Sequence, residues 1–130
     1  MEHAIDPASR RSRSIDVILD RPTLGEIAVV ELVDLFADGG DAMRGLADKV
    51  AVTLRSAHGM PVAGLLVLRS TRRNRELMKE LRPLVEARFP ASSADWIAAL
   101  RDPTRPMPTT DGLVWARVDG SGLFATRSRP

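Results

Sequence analysis

Two strand-sized apolar runs, Ile27–Val30 and Ala63–Leu68, lie on either side of a stretch with helical spacing, and they most restrict what this chain can become. Runs of this length fit strands covered on both faces, as in a parallel sheet with helices above and below. Between them, Met43, Leu46, Ala47, Val50 and Leu54 recur at helical intervals. A strand, a helical crossover and a second strand make a βαβ unit, which must be right-handed. Neither run approaches the ~20 residues that a membrane-spanning helix needs, so no membrane contact is expected.

The remaining elements follow from period and punctuation. Strand one is expected over about Ser14–Leu19, where Ile15, Val17 and Leu19 alternate with Asp16 and Ile18. The turn Asp20-Arg-Pro-Thr-Leu-Gly25 leads into strand two, about Glu26–Val33. Asp41, after Asp38-Gly-Gly40, reads as the N-cap of the first helix, which should stop near His58-Gly59. Val62–Leu68 is the next strand. Thr71–Phe89 is a second helix with Leu77, Leu81, Leu84 or Val85, and Phe89 inward; Pro83 should kink or divide it. Ser92 or Ser93 caps a short helix through Trp96, Ile97 and Leu100. Asp102–Thr110, with three Pro, should be an extended loop, and Leu113–Val118, Asp119-Gly-Ser-Gly122 and Leu123–Thr126 a closing hairpin. The order β-β-α-β-α-α-β-β indicates an α/β domain with a mixed sheet of about five strands and flanking helices.

At 130 residues and 44% hydrophobic, the chain suits a single domain over 14–130 behind a flexible basic tail over 1–13, which holds Arg10, Arg11 and Arg13. The first twenty residues contain no apolar signal region, and the absence of Cys removes disulfides and thiolate metal sites. A cytoplasmic location is expected. The formal charge is only +2, yet all basic residues except Lys49 and Lys79 are Arg, whose planar fork suits phosphate. Local Arg clusters with a small net charge fit occasional nucleic-acid contact, not a coating protein.

Asp16 and Glu31 fall near opposite ends of the first hairpin. Adjoining strands can bring two carboxylates to one hard cation, leaving positions open for water and a phosphate. The plainer alternative is that Asp16 ends an alternating strand and Glu31 pairs with a nearby Arg. Glu31 follows Val29-Val30, where a carboxylate is expensive to bury without a partner.

Ser14-Ile-Asp16, Val29-Val30-Glu31-Leu32 and Ala47-Asp48-Lys49-Val50 together resemble the restriction-endonuclease-like domain found C-terminal to a helix-turn-helix in actinobacterial XRE-type regulators. Asp34-Leu-Phe-Ala-Asp38, Thr71-Arg-Arg-Asn-Arg75, Arg88-Phe-Pro90 and Asp102-Pro-Thr-Arg-Pro-Met-Pro108 are similar to a degenerate branch of that group. The resemblance covers about residues 14–126 and implies a restriction-endonuclease-like fold. In fuller members a Lys stands two positions after the second carboxylate. Here that position is Val33, and a neutral side chain can neither position water nor stabilise developing charge. The short, polar N-terminal segment is also not expected to supply a helix-turn-helix.

The resemblance therefore implies a non-catalytic or weakly catalytic module, nucleic-acid-associated or regulatory, with DNA and a helix-turn-helix regulator as partners. The alternative is a Mg²⁺-dependent nuclease with Asp16 and Glu31 as catalytic metal ligands and Lys49 as a displaced basic group; Mg²⁺ is expected as cofactor only there. A third alternative is a protein-interaction module that never meets DNA. Lys49 could equally pair with a surface carboxylate, and Asp34 and Asp38 could be extra ligands or helix caps. Arg72, Arg73 and Arg75 crowd the first turn of a helix, where the macrodipole disfavours each cation by roughly 0.3–1 kcal/mol. An anion there would explain them, so they are the candidate phosphate or nucleic-acid contacts; pairing with Glu76 or Glu80 is the plainer reading. Trp96 and Trp115 read as core, and His58 as a helix-end residue. His3 and His58 give no zinc pattern.

Overall fold

In the computed structural model of this chain, which describes residues 14–34, 36 and 39–125, five strands form one mixed sheet in sequence order. The strands are β1 (Ser14–Arg21), β2 (Glu26–Val33), β3 (Val62–Arg69), β4 (Gly112–Ala116) and β5 (Leu123–Phe124). Helix α1 (Gly39–Arg55) connects β2 to β3, and α2 (Arg72–Arg88) and α3 (Ser93–Arg101) connect β3 to β4. The β2–β3 and β3–β4 pairs are parallel, while β1–β2 and β4–β5 are antiparallel. The expected tail over 1–13, His3 and Asp38 lie outside the described residues. Among the described residues no helix is long and apolar enough to cross a membrane.

The near-continuous apolar character of β2 and β3 has a direct cause. Successive side chains point to opposite faces, and both faces are covered. On one face Val29, Leu66, Leu68, Leu113 and Trp115 pack with Met43 and Leu46 of α1 and Met78, Val85 and Phe89 of α2. On the other, Ala28, Val30, Leu65, Val67 and Val114 meet Trp96, Ile97 and Ala99 of α3 and Met107 of the following loop. Two glycines allow the helices to come close. A Cβ on Gly64 would stand 2.9 Å from Cγ2 of Val50, and one on Gly112 would stand 2.3 Å from Cδ1 of the Trp96 ring. The Trp96 indole N–H donates to the Thr110 carbonyl at 3.3 Å.

Several boundaries and faces differ from the sequence reading. Helix α1 begins at Gly39, so Asp41 lies in its first turn and is not its N-cap. Leu54 is exposed instead of inward, because the inward stripe of α1 runs through Met43, Leu46, Val50 and Thr53 and Leu54 lies beside it. The helix ends at Arg55, and the chain reverses through His58 at φ 52° and Gly59 at φ 86°. Helix α2 is one unbroken helix in spite of Pro83. Proline removes only one donor, at the cost of the Lys79 carbonyl's helical partner, and Met78, Val85 and Phe89 pack on both sides of that point. Val85 takes the buried position and Leu84 is exposed. Ser92, not Ser93, caps α3, its hydroxyl accepting from the Asp95 N–H. The closing strands are shorter than expected, and β1 runs two residues longer, to Arg21.

One buried polar side chain joins three parts of the chain. Asn74, fully buried in α2, accepts from the Phe36 N–H at 2.7 Å and donates to the Asp34 carbonyl at 2.9 Å and the Arg69 carbonyl at 2.8 Å. It thereby satisfies backbone groups in the β2–α1 connection and at the end of β3. Replacing Asn74 by Ala should lower stability by about 3 kcal/mol, the scale of leaving such groups unpaired. Equilibrium urea unfolding would read this loss; a change within ±0.5 kcal/mol would deny Asn74 that role.

Candidate functional site

Asp16 and Glu31 are directly opposite one another in the β1–β2 register. Opposed residues of an antiparallel pair share a face, with Cβ atoms about 4.5–5.5 Å apart, so two like charges there repel. Glu31 also points into the covered face. Its side chain is 6% exposed, against 46% for Asp16. A cation is needed, and α1 supplies it. The Lys49 Nζ donates to Asp16 Oδ1 at 2.8 Å and to Glu31 Oε1 at 3.1 Å. The approach of α1 to the sheet at Gly64, through Leu46 and Val50, sets Lys49 over the hairpin.

The three side chains named in advance as catalytic candidates thus form a single cluster with net charge −1. Burial pulls the Lys49 pKa down, but the hydrogen bonds and charges of Asp16 and Glu31 outweigh it, holding the pKa above the usual 10.5. Val33, at the position where the resemblance calls for Lys, is buried in the core beneath α1 with Phe36 and Met43. Asp34 does not join the cluster; it pairs with Arg69 at 2.9 Å.

As arranged, a divalent cation held by both carboxylates would have to displace the Lys49 ammonium. The ammonium stands at hydrogen-bond distance from both carboxylates, in the place such an ion would take, and a cation entering there would meet a like charge. Among the described residues no group of three or more His, Cys, Asp or Glu side chains could hold a metal.

The arginines at the start of α2 do not act as one unit. The Thr71 hydroxyl caps the helix by accepting from the Asn74 N–H at 3.1 Å, so one of the free N-terminal donors is already used. Arg75 turns back, its Nη1 donating to the Ser70 carbonyl at 3.2 Å and hydroxyl at 3.1 Å. Arg72 and Arg73 are exposed, and neither is paired with Glu76 or Glu80. Both begin α2 immediately after β3, at the carboxyl ends of the parallel strands, the edge on which Glu31, Asp34 and Arg69 also lie.

Sequence reasoning missed two contributors. Asn74 shapes this edge from within Thr71-Arg-Arg-Asn-Arg75, where attention falls on the charges. Asp111 pairs with Arg88 at 2.6 Å and accepts from the Gly64 N–H at 2.7 Å, tying the end of α2 to β3. No local pattern marks either, since their partners are distant in sequence. Comparison with models of known families, with curated proteins and with solved structures gives no match to this chain.

Removing the Lys49 charge leaves Glu31 buried opposite Asp16 without a counter-ion. Breaking a fully buried pair costs about 3–5 kcal/mol; because Asp16 and Lys49 reach solvent, Lys49→Met should lose about 1–3 kcal/mol at neutral pH. Glu31→Gln in the same chain should restore most of it. A lysine pKa raised by folding stabilises fully below its unfolded value and less as pH climbs through the folded one. The difference between parent and Lys49→Met in urea unfolding should therefore vanish above the lysine range; a difference that persists there would mean the lysine stem, not its charge, carries the effect.

Proposed function

We propose that this chain is a degenerate restriction-endonuclease-like domain that has kept the fold's acidic pair as a structural ion cluster and works as a non-catalytic, nucleic-acid-associated regulatory module. The observation carrying this reading is the Lys49 ammonium between Asp16 and Glu31. An antiparallel hairpin with two facing carboxylates, a helix, and a parallel strand supports the resemblance noted from sequence. With the ammonium engaged by both carboxylates and Val33 in the core, no basic group is left free beside the acids to stabilise a leaving oxygen, a contribution typically worth several kcal/mol at a preorganised site. Nucleic-acid contact rests on Arg72 and Arg73, which present their charge to solvent at the same edge of the sheet.

Two measurements test this. Titration with Mg²⁺, with and without a short DNA duplex, should neither raise the unfolding midpoint nor produce cleavage. Mg²⁺-dependent cleavage lost in both Glu31→Gln and Lys49→Met would replace this reading with a nuclease using Asp16, Glu31 and Lys49, for which the convergence of these side chains speaks.

Binding of the duplex should weaken uniformly across sequences when Arg72 and Arg73 are both replaced by Ala. The slope of log affinity against log salt should flatten by about two, near 0.9 per lost phosphate contact. An unchanged slope removes these arginines from the interface. A parent chain that binds no DNA at all would favour a protein-interaction module instead.

A further inference from the structure

At the other end of the same sheet face, α2 and the β4–β5 pair enclose an open cavity of about 560 Å³. Its apolar lining carries three aromatic side chains, Phe89, Trp115 and Phe124, beside Met78, Val85 and Leu113. The Trp115 and Phe124 rings are nearly parallel, with centroids 6.5 Å apart and planes inclined by 19°. The guanidinium of Arg117 lies 5.0 Å from the centre of the Phe124 ring and holds it from outside the cavity.

The rim has the opposite character. Arg75, Lys79 and Arg82 line it at i, i+4 and i+7 of α2, on one side of the helix, followed by the single carboxylate Glu86. Like charges at these spacings destabilise a helix by roughly 0.2–0.5 kcal/mol per pair. Among the described residues neither Lys79 nor Arg82 has a salt-bridge partner. Arg75 is pinned through one nitrogen to Ser70, itself part of the lining, which leaves the rest of its planar fork available.

A concave site of this volume, apolar within and carrying a few convergent polar groups, has the form of a small-molecule pocket. The stacked Trp115 and Phe124 rings on its wall suit a planar ring, and three cations against one carboxylate select a negative group. We propose that the cavity binds a planar aromatic anion, its ring against Trp115 and Phe124 and its carboxylate or phosphate held by Arg75, Lys79 and Arg82. This does not depend on the reading of Asp16, Glu31 and Lys49, nor on Arg72 and Arg73, none of which lines the cavity.

The test uses 1-naphthoate and 1-naphthyl phosphate as probes, with 1-naphthalenemethanol as the uncharged control. Binding is followed by the Trp115 indole resonance and the Phe124 and Ala125 amides in nuclear magnetic resonance titrations. Both anions should shift these signals while the buried Trp96 indole stays in place. The alcohol should bind at least about tenfold more weakly, and the double change Lys79→Gln with Arg82→Gln should weaken the anions by a similar factor, near 1.4 kcal/mol. Tighter binding of the phosphate would assign the head group to a phosphate ester; tighter naphthoate, to a carboxylate. Absence of shifts at Trp115 and Phe124 would overturn the proposal, as would equal binding of the alcohol or anion binding unchanged in the double variant. Because Lys79 and Arg82 are exposed, the variant should fold; if it does not, the charged and uncharged probes on the parent chain still decide.

Discussion

A carboxylate directed into a covered sheet face, with a second one opposite it, cannot stay there without a cation, and this requirement organises the first half of the molecule. Glu31 supplies the demand, Asp16 doubles it across the hairpin, and Lys49 meets both. For that contact α1 must lie close to the sheet, and the missing side chain at Gly64 lets Leu46 and Val50 settle there. Hairpin register, helix placement and the parallel β2–β3 pairing are thus mutually dependent. A shift of one residue in the hairpin would send Asp16 to the opposite face from Glu31.

The carboxyl ends of the parallel strands are built differently. There the chain leaves β2 and β3 through short connections whose backbone groups would be unpaired in the interior, and Asn74 answers them with a neutral amide. An amide suits this task because it donates and accepts at once, which a carboxylate or an ammonium cannot do. The ion pair that closes the strand ends, Arg69–Asp34, stays half-exposed.

Much of the architecture was legible because burial on two faces leaves a simple trace. Continuous apolar runs marked β2 and β3, and residues Glu26–Val33 could be bounded from sequence since polar residues or turns close both ends. Helical spacing locates α1 and α2 but leaves the exact inward stripe open, so Leu54 reads as inward although it faces water. At Pro83 the local cost, a kink or a division, is visible in sequence, whereas the packing that keeps α2 continuous is not. Within the site, residue type and hairpin spacing brought out Asp16 and Glu31, and Lys49 was found as a member of the following helix. The partnership of all three depends on a helix-to-sheet distance that no local pattern encodes. Asn74 and Asp111 escaped for the same reason.

Among the described residues strand β1 is an edge, hydrogen-bonded to β2 alone. In its middle Val17 and Ile18 reach solvent, so little apolar packing holds it there. Its fastenings are at the ends: Asp16 to Lys49 at one, and at the other the Arg21 guanidinium, which donates to the Ala99 carbonyl at 2.7 Å and the Arg105 carbonyl at 2.9 Å. The Asp16–Lys49 pair opens toward water and is screened by salt, whereas the covered interior of β3 is not. The sheet is therefore held unequally, β3 by packing on both faces and β1 by fewer apolar contacts. The flank of Glu31 is thus covered by the strand that apolar packing holds least.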